Sequence, residues 1–214
     1  MKEYTFPFDT CEIPYHANSI IAQPYSFVLN FISSCILLYA AFTTKDIYIK
    51  VFFGLLFLFE FIHTCSHFTH IPGRIQINTI HFVAYLVNFS YFAIFIHLTK
   101  RVPSYKIMAV YVSIILLDMV FFNKNIFLGY FTTQISLFVV INLYYFNYIT
   151  ANISYYYLIS FFMLVVLIIL LFINEQENCK KMLDKKPLPY HIMIEITGGI
   201  IFILYVIMLK QLDK

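Results

Sequence analysis

Residues 47–70 read IYIKVFFGLLFLFEFIHTCSHFTH, and the chain then turns at Pro72-Gly73-Arg74. A helix rising about 1.5 Å per residue needs roughly 20 apolar residues to cross a hydrocarbon core of about 30 Å. From Val51 to Phe59 this run carries no charge, as a membrane-crossing helix requires. Its closing third is different: Glu60, His63, His67 and His70 follow at intervals of three, four and three. At about 3.6 residues per turn the four form one stripe along one face. Ionisable groups inside hydrocarbon are costly and therefore mark functional candidates.

Six further apolar runs flank this one, at about 24–42, 76–97, 105–122, 126–148, 153–173 and 190–209, each bounded by charge, Pro or Gly. The spacing predicts an all-α integral membrane protein, a seven-transmembrane helix bundle over 24–209. An acidic arm over 1–23 precedes it and a short tail over 210–214 follows. Residues 174–189 are the long polar connection between the sixth and seventh runs. The whole chain of 214 residues is 61% hydrophobic and 12% charged, whereas a soluble domain averages about 25% charged residues. The bilayer is therefore part of its solvent. A net charge of +3 without a basic stretch excludes nucleic acid as a partner. The arm lacks a basic segment followed by an apolar core, so it does not read as a cleaved signal peptide. There is no internal repeat and no second domain.

Seven crossings put seven of the 14 Lys and Arg residues on each face, so the overall count sets no orientation. Charges flanking the first helix usually weigh most. There the acidic arm opposes Lys45 and Lys50, which predicts an N-terminus outside the cytosol. Cys11 and Cys179 then fall on that same outer face. An oxidising lumen would let them pair, and two free thiols are the alternative.

The topology also collects the polar groups. Even-numbered helices finish on the N-terminal face and odd-numbered ones start there. The stripe ending the second helix, Asn78 and His81 opening the third, Asp118 ending the fourth, and His191 and Glu195 opening the seventh thus share one depth. His97 and His16 read as interfacial. Converging imidazoles and a carboxylate in an apolar shell suit a transition metal, zinc first. Three protein ligands and an open position would make a catalytic site, with water activated near neutral pH. Histidines that merely hydrogen-bond between helices are the alternative.

Three patches resemble the alkaline ceramidase family, within the seven-helix membrane hydrolases that include the adiponectin receptors. The family's arm, Asp-Trp-Cys-Glu-x-Asn and then Ile-Ala-Glu-Phe-Trp-Asn-Thr-x-Ser-Asn, is similar to Asp9-Thr10-Cys11-Glu12-Ile13-Pro14 followed by Ile21-Ala22-Gln23-Pro24-Tyr25 and Asn30. Its Ser-x-Cys-Phe-His-x-Thr, with Asp eleven residues after the His, is similar to His63-Thr64-Cys65-Ser66-His67-Phe68-Thr69, with Asn78 at the Asp position. Its His-x-x-x-His and small-residue stretch are similar to His191-x-x-x-Glu195 and Thr197-Gly198-Gly199.

The resemblance implies a zinc amidohydrolase cutting the fatty amide bond of a ceramide-like sphingolipid in an endoplasmic reticulum or Golgi-type membrane. It implies His67, His191 and Glu195 as zinc ligands, His63, Asn78 and His81 in catalysis, calcium at Asp9, Glu12 and Gln23, and a Cys11–Cys179 disulfide. The chain departs from the family at five positions. Glu195 stands for a His ligand, which His₂Glu zinc chemistry tolerates. His63 stands for a serine that assists the oxyanion, and Asn78 for an aspartate whose proton handling an amide cannot copy. Gln23 and Pro14 replace usual calcium ligands. Two alternatives follow: a catalytically diverged lipid receptor or scaffold with a structural metal, and a metal or proton transporter. Asp118 and Asn142 alone are few for a relay, which ranks the transporter last.

Overall fold

In a computed structural model of the chain, backbone is described for residues 20–68, 74–121, 126–185 and 190–213, and side chains for 20–68, 78–120, 133–175 and 190–213. The described residues form eight helices and no strand. They are α1 Pro24–Thr43, α2 Ile47–Ser66, α3 Arg74–Thr99, α4 Tyr105–Phe121, α5 Ile126–Tyr144, α6 Phe146–Asn152, α7 Tyr155–Lys185 and α8 Tyr190–Lys210.

Among the described residues, five stretches are long and apolar enough to cross a membrane: Pro24–Thr43, Ile47–Ser66, Asn78–Thr99, Tyr155–Glu175 and Tyr190–Lys210. The sequence pattern asks for seven. The 17 residues of α4 extend only about 26 Å at helical rise, short of a full core. In α5 the described apolar stretch is Thr133–Tyr144. The coarser expectation, a multi-pass all-helical membrane protein, is what the five helices support.

Two boundaries move for physical reasons. The helical run predicted to close near residue 173 continues to Lys185, because Glu, Gln, Lys, Met and Leu favour helix once the chain leaves the apolar segment; most of the expected polar connection is helix. The single run expected over 126–148 breaks at Tyr145 instead. Tyr145 is buried, stacks on Phe95 with centroids 5.4 Å apart, and donates its hydroxyl to the Arg101 carbonyl at 2.9 Å. Tertiary contact overrides local continuity there.

Packing follows the order α3–α2–α1–α8–α7, with α5 against α3 and α4 against α5. At mid-bundle an aromatic cluster joins five helices. Phe52 lies 5.6 Å from Tyr91 and 5.5 Å from Tyr205, Tyr91 lies 5.4 Å from Phe138, and Phe138 stacks on Phe161 at 4.4 Å. Such pairs each add about 0.5–1.5 kcal/mol beyond burial. Large side chains such as Phe42, Val120, Leu143 and Phe162 point outward, as lipid-facing residues must. At one end of the bundle the α1–α2 turn is tied down twice. Asp46 caps α2 by accepting from Tyr48 and Ile49 N–H at 2.8 and 3.1 Å. Asp213 accepts from Lys45 N–H at 3.0 Å and from Asp46 N–H at 2.7 Å.

Candidate metal centre

At the other end, α1, α2 and α8 meet around a buried polar knot. The segment leading into α1 is fixed to the end of α2 by backbone hydrogen bonds, Gln23 N–H to His67 O at 3.0 Å and Ala22 N–H to Phe68 O at 3.4 Å. Asn30 lies two turns further along α1. A four-residue spacing sets His63 and His67 on one face of α2 with ring centroids 4.7 Å apart. The same spacing aligns His191 and Glu195 on α8, and His67 and His191 stand 5.7 Å apart between centroids.

The Glu195 carboxylate is the hub. Its Oε1 lies 2.8 Å from His191 Nε2, 3.5 Å from His67 Nε2 and 3.9 Å from His63 Nε2. Each imidazole has an oxygen behind its other nitrogen: Glu60 Oε2 at 3.4 Å from His63 Nδ1, Gln23 Oε1 at 2.9 Å from His67 Nδ1, and Glu175 Oε2 at 3.3 Å from His191 Nδ1. All of these side chains are buried, His67 completely. Carboxylates removed from water require paired charge. Among the described residues the three imidazoles are ion-pair partners of all three glutamates.

Asn30 Nδ2 lies 2.8 Å from His67 Nε2 and 3.4 Å from His63 Nδ1. His67 Nδ1 pairs with Gln23 on one side of the ring, and Nε2 faces Asn30 and the Glu195 oxygen on the other. His67 Nε2 and Glu195 Oε1 face one another at 3.5 Å, a spacing at which both can ligate one cation. Ligand atoms around tetrahedral zinc sit about 3.3–3.5 Å apart, given bonds of roughly 2.0–2.1 Å. One ligand atom from each of His63, His67 and Glu195 lies within 4.8 Å of the others. This buried group is able to hold a metal ion, and the oxygen behind each imidazole is the outer support that metal-ligating histidines use.

The geometry redistributes the roles expected from sequence. His63 joins His67 and Glu195 in the metal-competent group. His191 stands beside it, clamped between Glu175 and Glu195. Gln23, expected near calcium, uses its carbonyl oxygen on His67. Asn78 is exposed on α3. His81 has Asp118 as its neighbouring charge, and Tyr85 donates to Asp118. Asn88 donates to Gln134, and the Tyr91 hydroxyl lies 3.2 Å from Asn142 Oδ1. The polar groups read as one layer therefore divide into the histidine–glutamate centre and a separate set joining α3 to α4 and α5. Asp9, Cys11, Glu12, His16 and His70 lie outside the described residues, as does the Cys179 side chain. Cys35 and Cys65 are free and exposed.

Asn30 and Glu175 complete the centre; the sequence reading gives Glu175 no mark, and Asn30 enters it only as the closing residue of the arm resemblance. No protein-family model, curated protein or solved structure matches this chain.

Proposed function

We propose that the chain is a membrane-embedded, zinc-dependent hydrolase of a lipid amide bond, ceramide-like in substrate and similar to the alkaline ceramidases in its ordered motif patches. The observation that carries it is the buried His63–His67–Glu195 group with an oxygen behind each imidazole. The reading includes a seven-span bundle in which α4 and α5 complete the crossing, and an N-terminus outside the cytosol of an endoplasmic reticulum or Golgi-type membrane.

Zinc bound there would supply a Lewis acid for the carbonyl oxygen and an activated water. The protein's own groups have distinct tasks. Glu60 and Gln23 fix the imidazoles of His63 and His67. His191, held by Glu175, sets the Glu195 carboxylate. An acyl chain would arrive sideways from the bilayer along outward-facing apolar side chains of α1, α2 and α8 such as Phe31, Phe61 and Ile196. Overall, water adds across the C–N bond: hydroxyl to the acyl carbon, hydrogen to the departing nitrogen, releasing a fatty acid and an amine.

Zinc analysis of the purified protein, paired with fatty-acid release from ceramide, tests this reading. Wild type is expected to hold about one equivalent of zinc and to release fatty acid, and His67→Ala to lose both. Release that persists in metal-free His67→Ala sinks it.

One observation favours a second reading, a diverged receptor or scaffold around a structural metal. His191 Nε2 at 2.8 Å from Glu195 Oε1 brings a fourth side chain to the hub, and a four-ligand set closes a zinc site. Zinc retained at full occupancy with no hydrolysis of any sphingolipid would select it.

A further inference from the structure

The end of the bundle away from the histidine–glutamate centre carries six cations among the described residues: Lys45, Lys50, Lys100, Arg101, Lys106 and Lys210. The carboxylates described there are Asp46 and Asp213, and the protein uses both itself. Asp46 caps α2 and lies 3.4 Å from His97 Nε2, while Asp213 takes the Lys45 and Asp46 N–H groups. Among the described residues neither pairs with Arg101. Exposed tyrosines ring the same end, Tyr39, Tyr48, Tyr105, Tyr155 and Tyr156, and this side chain collects at the headgroup layer of a bilayer. Arg101 is held on three sides. Its N–H donates to Thr99 Oγ1 at 3.2 Å, its carbonyl accepts the Tyr145 hydroxyl at 2.9 Å, and its guanidinium stands 4.8 Å from the Tyr144 ring centroid. Tyr144 also lines a groove of about 340 Å³ with Leu143, Phe146 and Asn147, where α5 breaks at Tyr145. Leu143 is 68% and Phe146 54% exposed, so the groove opens outward between apolar side chains.

We infer that this end of the bundle binds an anionic phospholipid, with Arg101 on the phosphate and an acyl chain in the groove between α5 and α6. A guanidinium offers paired N–H donors that match two phosphate oxygens, and stacking on an aromatic ring fixes its plane without using those donors. The groove supplies the apolar half of the recognition. A free phosphate would use the guanidinium and ignore the groove, and an uncharged lipid would do the reverse. Their meeting at Tyr144 selects a molecule that has both parts. The excess of cations over carboxylates at this end favours a headgroup of net negative charge over one that also carries an ammonium. With the N-terminus outside the cytosol, as proposed above, this end meets the cytoplasmic leaflet, where anionic lipids concentrate. The site is separate from the metal centre and stands whether or not the chain is a hydrolase.

The test is equilibrium binding of phosphatidylglycerol and phosphatidylcholine, each labelled at the end of one acyl chain, to the full-length protein in detergent. Wild type should favour phosphatidylglycerol roughly 5- to 10-fold. Arg101→Gln should remove that preference and leave phosphatidylcholine binding as it was. Lys210→Gln removes a cation of the same end that is held on Thr43 Oγ1 at 2.7 Å, away from the groove, and should keep the preference. Asn147→Trp fills the groove without touching the guanidinium and should weaken both lipids, which keeps the test decisive if Arg101→Gln fails to fold. Excess inorganic phosphate should not displace the bound lipid. Equal binding of the two lipids by wild type overturns the inference, as does a preference that survives Arg101→Gln. An equal loss in Lys210→Gln would reduce the effect to the diffuse charge of the face and overturn the site. Full displacement by inorganic phosphate, or unweakened binding by Asn147→Trp, would overturn the lipid as its occupant.

Discussion

Glu175 Oε2 lies 3.3 Å from His191 Nδ1, joining α7 to α8 within the buried centre. Glu175 is 1% exposed, so the contact is shielded from water and from salt. Removing its charge should act on the metal through two intermediaries, His191 and then Glu195. Glu175→Gln is expected to weaken zinc binding about 10- to 100-fold, the usual effect of altering an outer-layer partner. Competition with a chromophoric chelator measures it, and an unchanged affinity would show that His191 needs no such support.

His63 and His191 should separate on substitution. His63 belongs to the metal-competent group, so His63→Ala is expected to leave the purified protein with little zinc. His191→Ala should retain zinc at lowered affinity, because His63, His67 and Glu195 remain. Metal analysis of both variants decides it. The reverse ranking would return His191 to the ligand role its spacing from Glu195 suggests in the sequence.

Gly199 governs how closely α1 and α8 approach. A Cβ built there meets Ser33 Oγ at 3.0 Å, and small residues at helix contacts are what allow such approach in membranes. Gly199→Ala requires only a slight shift of the Ser33 hydroxyl. Gly199→Val should cost about 1–3 kcal/mol by overpacking and reduce zinc content as well, since Asn30 and Glu195 ride on the two helices pushed apart. Thermal unfolding in detergent with metal analysis tests it. Full zinc retention by a destabilised Gly199→Val would separate the packing from the centre.

The opposite end of the bundle should behave independently. Asp213 holds Lys45 and Asp46 N–H groups at 3.0 and 2.7 Å. Asp213→Ala removes a charged acceptor from both, with an expected loss of about 1.5–3 kcal/mol. Asp213→Asn, still an acceptor, should recover part of that. Zinc content should not change in either variant. A fall in zinc would mean that the two ends of the bundle are coupled.

Much of this was legible in the chain. Uncharged runs such as Val51–Phe59 announce membrane crossings because lipid leaves no alternative. The intervals separating Glu60, His63 and His67, and His191 from Glu195, give a shared face without knowledge of partners. Asn30 and Glu175 were not legible as members of the centre: Asn30 shares the buried side of α1 with Ser26, Ser33 and Ser34, Glu175 lies in the run of polar residues that follows Ile173, and only the packing of α1 and α7 reveals what each meets. The division of the polar layer was hidden for a related reason. Topology sets the depth of His81 and Asp118 but not their azimuth, and they turn toward each other rather than toward Glu195. The break at Tyr145 has no Gly or Pro to signal it, because its cause lies across the bundle at Phe95 and Arg101.

The length of α7 carries a mechanical consequence. Its 31 residues make a rod of about 46 Å, against a hydrocarbon core of roughly 30 Å. The portion beyond Glu175 thus stands as a stiff post past the bilayer, continuous with the turn that bears on His191. A push or tether on that post from outside the membrane would be transmitted to the imidazole without any intervening hinge.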